Sequence, residues 1–195
     1  MTLAATIVRE ARTGGPLGGL TQRELACRSG LAQPAIAAVE SGRKDATSAT
    51  IEKVLEATGS QILVVPSRLL SAASAARLVR EQLAGGSAHG ALRTWVQLAN
   101  DLATAEAGLR VVLTFVPPPL TGDRRYDSLL AALVEHRLTT EGLAVPRWVH
   151  EPERTCVGEW YVAGVAGLLD DARQHTPSAF LRHGVIIHEV DLESV

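Results

Sequence analysis

The sequence predicts a mainly α-helical protein of two parts: an N-terminal bundle of short helices, and an α-rich C-terminal region with one or two short strands. Aromatic residues make up only 4% of the chain and hydrophobic residues 46%, so the core must be aliphatic, as in helices that pack through Leu, Val, Ile and Ala stripes. Apolar residues recur at spacings of three and four along much of the chain. Clusters of glycine and proline divide these stretches into short segments.

Four short helices are predicted before residue 60, with recognisable start and stop signals. The sequence Thr21-Gln22-Arg23-Glu24 is typical of a capping box, in which a hydroxyl and a carboxylate satisfy helix-end amides. Pro34 is tolerated because the first turn of a helix needs no amide donor, and Gly59 is placed as the residue that ends a helix. The expected helices span residues 3–12, 21–29, 33–40 and 49–58.

A β-rich run at residues 61–65, closed by Pro66, predicts a strand that needs a partner, and the same strand of a second subunit is one candidate. We therefore expect two domains, residues 1–66 and 67–195. In the second domain, apolar spacing predicts helices at residues 67–83, 88–107, 127–138, 165–173 and 177–182, and a strand at 185–187. Periodicity leaves residues 109–116 open between strand and buried helix, and residues 146–158 are expected to form a loop with aromatic anchors.

The second and third helices have the residue types of two helices joined by a tight turn. Ala26 is small enough for close contact between helices, and Gly30 can adopt the positive φ that the turn requires. The apolar residues placed to hold the two helices together are Leu25, Leu31, Ile36 and Val39. This arrangement predicts a helix-turn-helix.

The stretch from Leu20 to Gly59 closely resembles the XRE family, the lambda-repressor and Cro-like regulators. Their typical pattern is a Ser/Thr-Gln-x-Glu-Leu-Ala start, a Gly turn and a recognition helix of the Ser-Gln-x-x-Ile type. Glu-x-Gly-Arg and a last helix ending in Leu-x-x-Leu-Gly follow. Almost every landmark is present, although the resemblance covers only the N-terminal part of the chain. It implies a lambda-repressor-like helix-turn-helix bundle that binds DNA.

The resemblance also implies which residues contact DNA. Thr21 and Gln22 would open a helix whose amides face a phosphate. Gln33 is the best candidate for a base contact, since an amide can bond to adenine at N6 and N7. The groove-facing side of the recognition helix would be completed by Pro34, Ala35, Ala37 and Ala38. The DNA backbone would be gripped by Arg43 and Lys44.

The recognition helix departs from the family pattern because it has few hydrogen-bonding side chains. Ala32, Ala37 and Ala38 stand where the family often has Ser, Thr, Asn, Lys or Arg. Direct readout would then depend on Gln33 and on methyl contacts with thymine. The Gly-Gly-Pro-Leu-Gly-Gly segment before the second helix is also longer than usual.

Composition argues against several classes of protein. The net charge of −2 does not suit a general nucleic-acid coat, although residues 1–59 carry seven Lys/Arg and six Asp/Glu, a net of +1, and residues 60–195 a net of −3. Cys27 and Cys156 lie in no paired motif, which argues against a disulfide framework or a zinc site. The N-terminus does not read as a signal peptide, and no apolar run approaches the roughly 18 residues that span a bilayer. We expect a cytoplasmic protein with no membrane contact.

No constellation of residues indicates an enzyme, a cofactor or a metal ion. The six histidines form no HExxH motif and no close pair on one helix face, so they are expected at the surface. A turn and a probable strand separate His183 from His188, which argues against a shared metal ion. The acidic residues interpreted as helix caps and solvated charges are Asp123, Asp127, Asp170 and Asp171.

The C-terminal region carries weaker signals of a protein partner. Trp148, Trp160 and Tyr161 cluster in a chain with few aromatic residues, so the segment 146–161 is expected to form a packing or partner-binding surface. The Leu-rich helix, the Gly-Leu-x-x-Pro-x-Trp turn and the closing Ala-Phe-x-x-x-Gly-Val-x-Ile segment resemble the tails of XRE regulators that accompany nucleotidyltransferase-like toxins. This resemblance implies that residues 67–195 bind such a toxin.

The favoured interpretation is a sequence-specific transcriptional regulator that binds double-stranded operator DNA as a homodimer and serves as an autorepressing antitoxin. A small-molecule-sensing repressor stays open as the alternative, and an enzyme fused to a DNA-binding domain is the least favoured. A pocket with convergent polar groups would favour the sensor. A flat apolar face would favour the protein partner.

Overall fold

A computed structural model of the chain describes residues 2–14, 19–62, 68–162 and 169–193. The chain divides into two units, Met1–Pro66 and Ser67–Val195, called unit 1 and unit 2 below. The described residues contain eleven α-helices, two short 3₁₀-helices and two strands of two residues each. The mainly α fold class is therefore confirmed. None of the described helices has the length and apolar character needed to cross a lipid bilayer.

Unit 1 is built from four helices: α1 (Leu3–Gly14), α2 (Gln22–Ser29), α3 (Gln33–Glu40) and α4 (Ser48–Thr58). Each helix contributes an aliphatic face, as the spacing of apolar residues predicts. The faces meet in one core around Val8, Leu25, Ile36, Val39 and Val54. α1 and α2 each pack against α3 and α4. α3 is therefore held in place by two neighbouring helices, α1 and α2.

The turn between α2 and α3 has the geometry that its glycine allows. Gly30 has a φ of +67° at the end of α2, a left-handed conformation that costs little for glycine and more for any residue with a Cβ. A Cβ added here would meet no other atom within 4 Å. The glycine is therefore required for backbone conformation and not for space.

Unit 2 begins with four longer helices: α5 (Ala72–Ala84), α6 (Ala88–Thr104), α7 (Ala107–Phe115) and α8 (Arg124–Thr139). α5 packs along α6, and α8 contacts α5, α6 and α7. The segment that periodicity left open is helical, as α7. The first predicted helix of this unit begins later than expected, at Ala72, because the Ser71 side chain accepts the Ser74 amide and caps it there.

α8 is the central helix of unit 2. It contains the helix predicted at 127–138, but the expectation that this helix has a polar, solvent-facing side was wrong. The helix begins at Arg124, and its buried residues include polar positions such as Ser128 and Glu135 in addition to the leucines. A helix buried on nearly all sides has no solvent face. The polar side chains that interrupt its apolar pattern are bonded inside the unit instead of facing water.

The rest of unit 2 is made of short elements. Two 3₁₀-helices, Arg147–His150 and Pro152–Arg154, are followed by strand β1 (Trp160–Tyr161), α9 (Leu169–Gln174), α10 (Ser178–Arg182), β2 (Val185–Ile186) and α11 (Glu189–Glu193). β1 pairs with β2 in parallel, with Trp160 opposite Val185 and Tyr161 opposite Ile186. The strand predicted at 185–187 is therefore present over two residues, and its partner β1 lies just after the segment 146–158 that was expected to be a loop.

Two expectations about polar residues of unit 2 were wrong. His183 is buried, and both of its ring nitrogens have partners there: Nδ1 lies 2.6 Å from the carbonyl oxygen of Arg154, and Nε2 lies 2.8 Å from Oε2 of Glu135. Asp127 is buried as well, and burial raises its pKa although the amide of Thr121 and the charge of Arg154 oppose that rise. Asp123, in contrast, caps α8 as expected.

Two predicted elements fall partly outside the described residues. The strand at 61–65 includes residues 63–65, which are not described, while Gln61 and Ile62 are exposed and belong to no strand. The helix at 165–173 includes residues 165–168, also not described, and the structure has a helix from Leu169.

Candidate nucleic-acid interface

The two glutamines of unit 1 form a polar chain that links α2 to α3. Nε2 of Gln33 donates to Oε1 of Gln22 over 2.9 Å, and Nε2 of Gln22 donates to Oε2 of Glu40 over 2.8 Å. Glu40 in turn accepts from Nε and Nη2 of Arg12, at 2.6 and 3.1 Å. The side chains of four residues on three helices are therefore connected from the core of unit 1 to the first turn of α3.

Glu40 is the buried carboxylate of this series of hydrogen-bonded side chains, and it accepts from both Gln22 and Arg12. It is only 4% exposed, and burial by itself would raise the pKa of its carboxyl group. The hydrogen bonds from Arg12 and Gln22, together with the Arg12 charge, outweigh burial and hold the pKa of Glu40 below its ordinary value. The bond to Glu40 likewise raises the pKa of Arg12. Glu40 is therefore a carboxylate at neutral pH, which can only accept hydrogen bonds.

The charge of Glu40 determines which way both amides face. Since a carboxylate cannot donate, Gln22 must turn its NH₂ group toward Glu40 and its Oε1 toward Gln33. Gln33 must then direct its NH₂ group to Gln22, which leaves its Oε1 and its second N–H free for a further partner. One acceptor next to one donor is the pattern that pairs with N6 and N7 of adenine in the major groove.

The remaining surface of α3 is apolar and shallow. Its buried side is formed by Ile36, Val39 and Glu40, and helical periodicity places Pro34, Ala37 and Ala38 opposite that side. Pro34 is exposed and both alanines are half-buried, so these residues offer methyl and ring carbons but no hydrogen-bond donor. Ala35 is also half-buried and lies at the flank of this surface, between it and the core.

Two basic side chains lie in the loop after α3, just beyond Ser41 and Gly42. Arg43 and Lys44 are exposed, and both of their backbone amides donate to the carbonyl of Ala38, at 3.0 and 3.1 Å. Nε of Arg43 also donates to Oγ of Ser41 over 3.0 Å. The loop therefore holds two positive charges next to the end of α3, where they suit contacts with phosphate groups.

The start of α2 is capped from within the chain. The hydroxyl of Thr21 accepts from the amide of Glu24 over 3.2 Å, and Oε2 of Glu24 accepts from the amide of Thr21 over 2.7 Å. The predicted capping box is confirmed. These bonds occupy the Thr21 hydroxyl and the Thr21 amide, so a phosphate at this helix end would be left with the amides of Gln22 and Arg23.

The sequence assigned both glutamines to DNA contacts but did not show that Glu40 and Arg12 are connected to them by hydrogen bonds. One signal was available: Glu40 is the only charged residue of α3, next to the core residue Val39, and a buried charge requires a partner. The identity of that partner was not readable, because Arg12 is 28 residues away.

The three aromatic residues proposed to bind a partner differ in how deeply they are buried in unit 2. Trp148 is 3% exposed, and its indole N–H donates to the carbonyl of Thr114 over 2.9 Å. Its ring is part of the core, so the partner-binding expectation does not fit this residue. Trp160 and Tyr161 are half-buried on β1, with the Trp160 ring 5.8 Å from that of Tyr126.

Comparison with known proteins agrees with the geometry of unit 1. Residues 8–64 match the family model described as helix-turn-helix. The match agrees with the four-helix arrangement of unit 1 and its Gly30 turn. A domain of this kind supports a DNA-binding transcription regulator, and the match ends before unit 2 begins. No curated protein and no solved structure matches the chain.

Proposed function

We propose that the chain is a sequence-specific transcriptional regulator that binds an operator through unit 1. The observation that carries the proposal is the amide of Gln33, oriented by Gln22 and Glu40 so that one acceptor and one donor remain free at the start of α3. Arg43 and Lys44 supply the contacts with phosphate groups, and the apolar surface of Pro34, Ala37 and Ala38 suits thymine methyl groups.

The test is a binding titration of the full chain with DNA from its own promoter, followed by fluorescence anisotropy. The proposal expects tighter binding to the promoter than to a shuffled sequence of equal length, and affinity that falls steeply as salt is raised. Binding that is equal for both DNAs, or absent at low salt, would contradict it.

The regulator is further proposed to act as a homodimer. A single recognition helix with one amide reads too few bases for high specificity, since each good two-point contact contributes about 1–3 kcal/mol of discrimination. Two copies on a two-fold symmetric operator double the number of contacts. Sedimentation equilibrium of the free chain and of its DNA complex tests this proposal, and one chain per operator would contradict it.

For unit 2 we propose binding to a protein, namely a nucleotidyltransferase-like toxin, so that the chain is the antitoxin of the pair. The support is the resemblance of the C-terminal sequence together with an apolar surface on α7. Val112 and Phe115, three residues apart in this helix, are 37% and 68% exposed, and Val116, directly after its end, is 56% exposed. Exposed apolar groups at helical spacing are typical of surfaces that contact another protein.

The sensor alternative has less support in the described part of unit 2. The cavity near Leu120, Arg124 and Asp127 is open and has a volume of about 220 Å³. Sites for small organic ligands usually enclose about 300–1,000 Å³. A protein partner is therefore preferred.

The neighbouring reading frame tests the antitoxin proposal. It should encode a small nucleotidyltransferase-like protein that arrests growth when expressed alone. Co-expression of this chain should restore growth, and the two proteins should purify together. A neighbouring product that is harmless, or whose toxicity this chain does not relieve, would contradict the proposal without affecting the DNA-binding proposal.

A further inference from the structure

Three side chains of unit 2 that are far apart in the sequence meet at one place. Asp171 lies in α9, His175 directly follows the last residue of this helix, and His188 follows β2. The ligand-capable atoms of these three residues all lie within 4.8 Å of one another. Nδ1 of His175 is 3.3 Å from Oδ1 of Asp171, and Nε2 of His188 is 3.6 Å from Oδ2 of the same carboxylate.

Bonds that do not involve the three side chains tie together the backbone segments around this cluster. The amide of Glu189 donates to the carbonyl of His175 over 3.2 Å. The amide of Ile187 donates to the hydroxyl of Thr176 over 3.3 Å, and both of these residues are buried. The residues on each side of His188 are therefore tied to the His175–Thr176 turn, and the two imidazole rings stack with centroids 4.8 Å apart.

We propose that Asp171, His175 and His188 bind a divalent transition-metal ion, with Zn²⁺ as the ion that fits best. Two imidazoles and one carboxylate are a usual donor set for zinc, with ligand bonds of about 2.0–2.2 Å. Two ligand atoms on a tetrahedral ion of that size are about 3.4 Å apart, close to the two measured separations. The side chains of Asp171 and His175 are 55% and 46% exposed, so water can complete the coordination and the ion can exchange with solvent.

Metal binding must replace contacts that the imidazoles make in the metal-free chain. Nδ1 of His188 accepts from the amide of Val190 over 3.1 Å, so a neutral ring carries its proton on Nε2, toward Asp171. Coordination through Nε2 moves that proton to Nδ1 and breaks the bond with Val190. The amide of Val190 therefore reports on coordination by His188 separately from any metal bound elsewhere.

The site was not visible in the sequence, from which we expected no metal ion. His175 and His188 belong to no spaced motif, and bonds of the His175–Thr176 turn with residues 187 and 189 bring their segments together. The proposal is independent of DNA binding by unit 1.

Isothermal titration of the full chain with Zn²⁺ tests this site, alongside Asp171→Asn, His188→Ala and the control His89→Ala, which removes an exposed histidine of α6. The expected result is one ion per chain, with affinity reduced at least about tenfold by either site variant, since even the loss of an outer partner of a ligand costs 10–100-fold. His89→Ala should bind as the wild type does. Asp171→Asn keeps the side-chain shape at an exposed position, so it serves as the variant least able to disturb folding.

An NMR titration supplies the second measurement. The amide signal of Val190 should shift on addition of one equivalent of Zn²⁺ in the wild type and not in Asp171→Asn. Absence of binding at one ion per chain, equal binding by all variants, or a stationary Val190 signal in the wild type would each overturn the proposal.

Discussion

Gln33 is the residue on which, in our proposal, sequence readout depends. Its amide is oriented by bonds that begin at a buried carboxylate, whereas the neighbouring groove-facing side chains are carbon only. A long polar side chain that is already held in one orientation loses less entropy when it binds than a free one does. This arrangement partly compensates for the scarcity of hydrogen-bonding groups on α3.

Replacing this amide is expected to reduce specificity more than general affinity. Gln33→Ala should weaken binding to the promoter operator by about 1–3 kcal/mol and should bring operator and shuffled DNA closer in affinity. Anisotropy titrations at one fixed salt concentration measure both values. The matched control is Gln174→Ala, an exposed glutamine of unit 2. If Gln33→Ala lowered affinity for both DNAs equally, Gln33 would not be the base-reading residue.

Glu40 is expected to stabilise unit 1 in a pH-dependent way. Because its pKa is lowered in the folded chain, the carboxylate stabilises the fold above its ordinary pKa of about 4.3, and this contribution is lost as the pH falls below that value. Glu40→Gln should lose about 1–3 kcal/mol at pH 7, since it leaves Arg12 without its charged partner. The difference from the wild type should shrink toward pH 3.

Unfolding of unit 1 in urea, followed by the NMR signals of its core residues, measures this dependence at each pH. Glu56→Gln, at an exposed position of α4, is the control and should show little change. A constant difference between wild type and Glu40→Gln from pH 7 to pH 3 would contradict the role given to the carboxylate.

At the scale of elements, we propose that α3 and the loop after it have different roles in DNA binding. α3 carries the amide proposed to read a base, and the loop carries two cations whose backbone amides donate to the carbonyl of Ala38. Contacts with phosphate groups position a protein on DNA without reading its sequence. The two parts should therefore respond differently to mutation.

Arg43→Ala is expected to weaken binding to operator and shuffled DNA by the same factor. It should also lower the slope of log affinity against log salt by about 0.9, the value for one phosphate contact. Titrations at four or more salt concentrations give the slope. Arg77→Ala, which removes an exposed arginine of unit 2, should leave it unchanged. An unchanged slope in Arg43→Ala would exclude a phosphate contact by this side chain.

Elements with a local signal were predicted well, and those that depend on distant partners were not. The capping box at Thr21 and the turn at Gly30 each depend on residues that are close together in the sequence, and both are present. The burial of α8 was not predicted, because polar residues such as Ser128 and Glu135 in its sequence suggest a solvent-facing side, whereas both are buried. Strand β1 was missed because two residues are too few for an alternating pattern, and its pairing with β2 joins positions 25 residues apart.

The sequence proposes the residues of the DNA-contacting site, but it does not show how these residues bond to one another. A family pattern assigns Gln22, Gln33, Arg43 and Lys44 to DNA contacts, yet it does not show that the two amides bond to each other. That bond depends on how α2 and α3 cross, which follows from packing of the whole core of unit 1. The bonds that connect Arg12 and Glu40 to this pair likewise depend on how the helices of unit 1 pack together.

At the scale of the whole molecule, the chain combines one domain with a narrow reading surface and a larger unit with exposed apolar groups on α7. Affinity for DNA rises strongly when two weak reading domains are linked, because the second contact becomes intramolecular. The operator proposal therefore depends on the dimer proposal, because high specificity requires two copies of α3 on one operator.

Hydroxyl-radical footprinting of the full chain on its own promoter is the most direct test of DNA reading by paired copies of α3. The account predicts two protected half-sites related by two-fold symmetry, with centres about one helical turn apart, 34–36 Å. Gln33→Ala should lose this protection at a concentration where Gln174→Ala retains it. Uniform protection along the fragment, or a single protected half-site that Gln33→Ala leaves intact, would contradict the account.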